Sequence, residues 1–208
     1  YYEAKQSEAA GAAYFAAAKA ANEDRTEDAL RNLAAVTHPG YAALAKLREA
    51  AGDNRSTATT GLGHTRWATH GRVTEANAHP HTDQSGTVAV VMNGIVENYV
   101  TLRSELAGKG VAFTSETDTE VIPHLIAQAY AGDIAEAVRA VVPMLEGHYA
   151  FVAMHADEPG RLVGARKECP LVVGVGDGER FFASAIPAFL RETKDIQVIE
   201  SGEIVVTH

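Results

Sequence analysis

From Gly147 onward the sequence runs strand after strand, with turn clusters between. Residues 149–155, 161–166, 171–175, 180–184, 197–199 and 203–206 are short runs rich in β-branched and aromatic residues. They are punctuated by Asp157-Glu158-Pro159-Gly160 and Gly176-Asp177-Gly178, clusters that favour turns over continued strands. Helical patterns precede them: 97–107, with Leu102 and Leu106 on one face, then 118–131 and 133–145. Helices grouped before strands predict an α+β fold with largely antiparallel sheets; a doubly wound parallel sheet would alternate the two.

The upstream half is less regular. Residues 1–60 are rich in alanine and charge, and 3–22, 27–36 and 41–51 read as helices, the last two separated by His38-Pro39-Gly40. Residues 53–60 read as a loop, and the chain as one domain made of this segment and 61–208. Residues 87–92 form a β-branched apolar run, read as a buried strand ended by the tight-turn signal Asn93-Gly94. A short strand is expected at 111–114. Thr117 is placed as N-cap of the 118–131 helix with Glu120 as capping-box partner, and Asp133 near the cap of the next helix.

Composition narrows the function. Over 208 residues, 46% hydrophobic and 22% charged is the balance of a soluble globular protein of about one domain. A formal net charge of −9 without basic runs argues against nucleic acid or an anionic membrane as partner. No apolar stretch reaches the ~18 residues of a membrane span, and no signal-peptide pattern is present. The single cysteine, Cys169, allows no internal disulfide, so a reducing cytoplasm is the expected compartment. No metal and no cofactor are expected.

Three segments carry chemistry. His64-Thr65-Arg66-Trp67-Ala68-Thr69-His70-Gly71 packs two histidines, an arginine and the only tryptophan together; it is either a surface strand or a binding segment whose Arg fork suits a carboxylate. Asn93-Gly94 is read alone as a turn, or as an oxyanion hole built from a carboxamide and a backbone N–H. The acidic stretch from Ser115 to Glu120 is either helix capping or a site in which Asp118 holds an ammonium group. His79-Pro80-His81 lacks a third ligand nearby and reads as a loop. Gly174-Val175-Gly176-Asp177-Gly178 has no helix after it and reads as a hairpin turn. Cys169, beside Pro170 and an apolar run, reads as an inert structural thiol.

Taken in order, these segments, with Asn77-Ala78-His79-Pro80-His81, Asn93-Gly94-Ile95-Val96-Glu97-Asn98, Leu145-Glu146-Gly147, Ala165-Arg166-Lys167, Pro170-Leu171-Val172-Val173-Gly174, Ala183-Ser184 and Ser201-Gly202-Glu203, closely resemble the glutaminase domains of the glutamine–fructose-6-phosphate aminotransferases. These belong to the N-terminal-nucleophile class of glutamine amidotransferases. The resemblance covers 61–208 and implies a four-layer αββα sandwich of two antiparallel sheets. It implies that Arg66, assisted by Thr69 and His70, pairs with the glutamine α-carboxylate, that Asp118 holds the α-ammonium, and that Asn93 and Gly94 form the oxyanion hole. Trp67 is similar to a residue on a loop that closes over the site.

The family's nucleophile is an N-terminal cysteine, and nothing in this sequence matches its opening strand and helix; residues 24–52 also fit the family poorly. The sequence opens on Tyr1 rather than methionine, so the expectation is that translation began upstream. Two functions follow. In one, the chain is a glutaminase domain supplying ammonia for glucosamine 6-phosphate synthesis from fructose 6-phosphate, with a sugar-phosphate isomerase domain or subunit as partner and a homo-oligomer allowed. In the other, it is an inactive glutamine-binding or scaffolding module.

Overall fold

An apolar side chain at every position from Val88 to Met92 commits that stretch to a strand covered on both faces. The computed structural model, which describes residues 59–65, 70–72 and 74–207, shows how it is covered. The helices expected within 1–58 lie outside the described residues. The five-stranded sheet has the order β1-β2-β3-β4-β8, from β1 (His81–Thr82), β2 (Val88–Val96), β3 (Gly147–His155), β4 (Leu162–Lys167) and β8 (Ile204–Thr207). The three-stranded sheet has the order β6-β5-β7, from β5 (Val172–Val175), β6 (Arg180–Ala183) and β7 (Ile196–Val198). Every pairing is antiparallel.

Period-2 alternation sorts the central strands between two cores. Val88, Val90, Met92 and Val96 of β2, with Tyr149, Phe151 and Ala153 of β3, pack against the helices. Val91 of β2 and Ala150 and Val152 of β3 face the other way, onto Leu171, Val173 and Ile199. The described residues thus form a helix layer, a five-stranded sheet and a three-stranded sheet, in agreement with the expected α+β class.

Among the described residues three α-helices build this layer: α1 (Tyr99–Gly108), α2 (Val121–Ala129) and α3 (Ile134–Val141). In α1 the buried residues are Leu102 and Leu106, one turn apart. Asp133 caps α3 by accepting from the N–H groups of Ala135 and Glu136. The helical pattern expected to Leu145 ends at Val141 and tightens into a 3-10 turn at Val142–Met144, because Pro143 lacks the N–H for another α-helical bond.

Three local expectations are corrected. Asn93-Gly94 is no turn: β2 runs on to Val96, with Asn93 opposite Ala150 and Gly94 opposite Tyr149. Residues 111–114 form no strand; Val111 and Phe113 pack against the core without a ladder partner. The helix expected from Asp118 begins at Val121, and Glu120 makes no capping box.

Glu120 instead folds back under the preceding segment and is 1% exposed. Oε1 accepts from the Thr114 N–H at 2.7 Å and its hydroxyl at 2.8 Å; Oε2 accepts from the Ser115 N–H at 2.8 Å and its hydroxyl at 2.6 Å. Burial alone would raise its pKa, but these donors outweigh it, with His124 Nε2 at 4.0 Å, beyond hydrogen-bond reach. The carboxyl is held well below its ordinary value of 4.5. A depressed native pKa stabilises the fold fully above the unfolded value, and that contribution fades as pH falls through 4.5 and below. Glu120→Gln, which sets an NH2 group against these donors, is therefore expected to cost about 2–3 kcal/mol at pH 7. The gap to wild type should close in acid; denaturant unfolding at pH 7 and pH 3 checks it, and a gap independent of pH would remove Glu120 from the account.

Candidate functional site

The site is organised by β2, because that strand carries Asn93 and Gly94 at its downstream half and binds Asp118 at its end. Asn93 is on the face of the sheet turned toward the three-stranded sheet. Its Nδ2 donates to Ser184 Oγ, just past β6, at 2.6 Å, and its Oδ1 lies 2.8 Å from His64 Nε2. Gly94 has φ +100°, and a Cβ there would stand 2.1 Å from the His148 carbonyl oxygen. Only glycine permits this backbone so close to β3.

Asp118 is brought to the same strand from the α2 side. Its Oδ2 accepts the Val96 N–H at 2.8 Å, and its Oδ1 lies 3.6 Å from His70 Nδ1. Its side chain is 3% exposed. Among the described residues no lysine or arginine pairs with it, and a buried carboxylate in that condition favours a cationic partner. His70 also packs its ring 5.2 Å from that of Tyr99.

Along β2, Val96, which binds Asp118, is three residues beyond Asn93, about 10 Å at ~3.3 Å per strand residue.

Of the residues expected in the site, the structure brings Asn93, Gly94, Asp118 and His70 onto or beside one strand. Arg66, Trp67 and Thr69 lie outside the described residues. Cys169, expected to be an inert structural thiol, is half-buried, with Sγ 2.8 Å from where a Gly94 Cβ would sit. Burial pushes its thiol pKa up, against a smaller pull from Arg166, so it is positioned near the site but poorly disposed to ionise. Among the described residues no group of three or more His, Cys, Asp or Glu is placed to hold a metal.

Sequence reasoning assigned no role to three residues the geometry singles out. His64 and Ser184 grip the Asn93 carboxamide. Asn77, 1% exposed, donates through Nδ2 to the Arg72 carbonyl at 2.9 Å and accepts the Glu116 N–H on Oδ1 at 2.8 Å. It thus staples the exit of the His64–Gly71 string to the acidic segment before Asp118. Its signal was an asparagine among otherwise loop-like residues, and only tertiary structure shows that it is buried and so must be bonded.

Comparisons with known proteins agree with this fold. The chain is 58% identical over 147 residues to a glutamine–fructose-6-phosphate aminotransferase (isomerizing) of Aquifex aeolicus, covering 71% of this chain and 25% of that protein. Its counterpart in Mycolicibacterium paratuberculosis is 53% identical over 173 residues, 79% of this chain and 28% of its own. The chain therefore spans about a quarter of the length of these relatives. Among solved structures, the glutamine phosphoribosylpyrophosphate amidotransferase of B. subtilis superposes with a TM-score of 0.58 at 26% identity, over 69% of this chain and 32% of that one. Its likeness supports the sandwich of two antiparallel sheets. Because a single domain pattern runs unbroken over residues 64–191, from the histidine that grips Asn93 past the edge of the second sheet, this chain belongs to the glutamine amidotransferase domain family.

Proposed function

We propose that the chain is the glutaminase part of an enzyme that makes glucosamine 6-phosphate from fructose 6-phosphate, delivering ammonia to a sugar-phosphate isomerase domain or subunit. The observation that carries the reading is that one stretch of β2 carries a carboxamide, Asn93, and binds a buried carboxylate, Asp118, at its end. Asp118 takes the α-ammonium and Arg66 the α-carboxylate, with Thr69 and His70 alongside. The side-chain amide then lies at Asn93 and Gly94, and Trp67 borders it.

The chemistry is acyl transfer. A thiolate adds to the amide carbon, and the carbonyl oxygen becomes an oxyanion held by the Asn93 Nδ2 and the Gly94 N–H. Collapse breaks the C–N bond, ammonia leaves with the proton taken from the thiol, and water hydrolyses the thioester to glutamate. The nucleophile is the cysteine at a free N-terminus that the resemblance calls for, its own α-amine acting as base. Cys169, the only cysteine among these 208 residues, has no α-amine of its own and a raised pKa. A form of the protein that opens on a cysteine is accordingly the one expected to turn over.

Glutamine capture is the direct test. Arg66→Ala is expected to weaken glutamine binding at least about a hundredfold, the loss of a charge-assisted bidentate pair. Arg66→Lys should recover little, because an ammonium supplies a point charge without the fork. Calorimetry with glutamine checks both. Unchanged affinity in Arg66→Ala removes the carboxylate assignment, and no binding by the wild-type protein removes the glutaminase reading itself.

A further inference from the structure

We propose that His64 is a positioning residue for amide hydrolysis, holding the Asn93 carboxamide in the one orientation that turns Nδ2 toward the reacting oxygen. The inference rests on the glutaminase reading and adds to it a residue that never touches substrate.

A carboxamide has two orientations of nearly equal shape, related by a half-turn about its last bond. In one, Asn93 presents a donor to the substrate oxygen; in the other that donor is turned away and a lone pair takes its place. Two neighbours grip the group: Ser184 Oγ at 2.6 Å from Nδ2, and His64 Nε2 at 2.8 Å from Oδ1. Ser184 does not discriminate, because a hydroxyl both donates and accepts and suits either orientation. His64 discriminates through its tautomer: in this orientation Oδ1 only accepts, so Nε2 carries the proton, and in that tautomer a flipped carboxamide would set N–H against N–H. With Oδ1 fixed, Nδ2 spends one hydrogen on Ser184 and keeps the second for the oxyanion.

The imidazole is itself held in place. Its ring lies 4.2 Å from that of His79, which lies 4.8 Å from that of His81. His81 Nε2 is 2.9 Å from Thr117 Oγ1, and Thr117 directly precedes Asp118. Three imidazoles in contact, the first pair tilted and the second edge-to-face, thus join the oxyanion donor to the segment that carries the ammonium-binding carboxylate, so both ends of the substrate are registered on one side-chain row.

The test separates the hydrogen bond from the packing. His64→Phe keeps a flat ring against His79 and removes the donor; His64→Gln places an amide donor near the original Nε2. In the 15N-labelled chain, the Asn93 side-chain NH2 pair is identified by its loss in Asn93→Asp. It is expected to be dispersed and slow to exchange in the wild type. In His64→Phe it should move toward the position of a solvated amide, with exchange faster by about tenfold or more, and His64→Gln should restore it. In the form that opens on the nucleophilic cysteine, kcat for glutamine should fall about tenfold or more in His64→Phe with KM changed less than about twofold, and His64→Gln should regain most of the loss. Should His64→Phe fail to fold, His64→Ala takes its place in both measurements. An Asn93 NH2 pair that is the same with and without the His64 donor, or a loss of kcat that His64→Gln leaves untouched, overturns the proposal. If the cysteine-bearing form shows no turnover at all, the glutaminase reading fails, and the NH2 signal still decides whether His64 fixes the carboxamide.

Discussion

Asn93→Ala, made in a form of the protein that opens on the nucleophilic cysteine, is expected to lower kcat by about 10²–10³, or ~3–4 kcal/mol of barrier, with KM for glutamine nearly unchanged. The donor acts on charge that exists only after the thiolate has added, so ground-state binding at Asp118 and Arg66 survives its loss. Asn93→Asp sharpens the test. It keeps the size of the side chain, and both His64 Nε2–H and the Ser184 hydroxyl can still donate to it. It has no donor of its own and adds a negative charge where one develops. It should therefore be at least as inactive as the alanine variant while folding as well as the wild type. Steady-state kinetics with unfolding curves for both variants decides the matter. Aspartate activity near wild type would mean that Asn93 is a structural brace between the two sheets and contributes nothing to the oxyanion.

The strand-rich C-terminal half was legible because its signals are local. Each strand from Gly147 on is bounded by residues that stop strands for backbone reasons, so boundaries such as Arg180–Ala183 fell within a residue of expectation. Three failures share the opposite cause. Asn-Gly is a turn signal when judged by its own φ/ψ freedom, yet at Asn93-Gly94 that freedom is used to let β2 approach β3. Thr117 and Glu120 have the spacing of a capping box, but burial beneath Thr114 and Ser115 gave the Glu120 carboxylate four donors elsewhere, more than a cap offers. The alternation of Val111 and Phe113 is real and buries both, without a neighbouring strand to make it a sheet. In the site, charge complementarity made Asp118 readable as an ammonium partner. The roles of His64, Ser184 and Asn77 exist only as pairings across 29, 91 and 39 residues of chain, and no property of the single residues announces them.

Among the described glycines, Gly94→Ala is expected to be the most damaging added methyl. At φ +100° an L-residue pays roughly 1–2 kcal/mol of backbone strain. The new Cβ would also stand 2.1 Å from the His148 carbonyl oxygen and 2.9 Å from the Tyr149 Cα, both backbone atoms of the paired strand, as well as 2.8 Å from Cys169 Sγ. A flexible side chain can swing away, but β3 cannot without breaking its ladder to β2 on both sides of this point. Overpacking of that kind adds about 1–3 kcal/mol, for a total of at least about 3 kcal/mol. Gly86→Ala is the matched control: its φ is +72°, yet nothing lies within 4 Å of an added Cβ, so it should show the strain alone. Denaturant unfolding of the two variants separates the terms. Combining Gly94→Ala with Cys169→Ala should restore little, since the closest obstacle is the main-chain oxygen. In the cysteine-bearing form, Gly94→Ala should lose glutamine hydrolysis as well, because any relief of the clash displaces Asn93 along with it. Equal stability of the Gly94→Ala and Gly86→Ala proteins would return Asn93-Gly94 to the status of an ordinary turn and take the close approach of β2 to β3, with the site built on it, out of the structure.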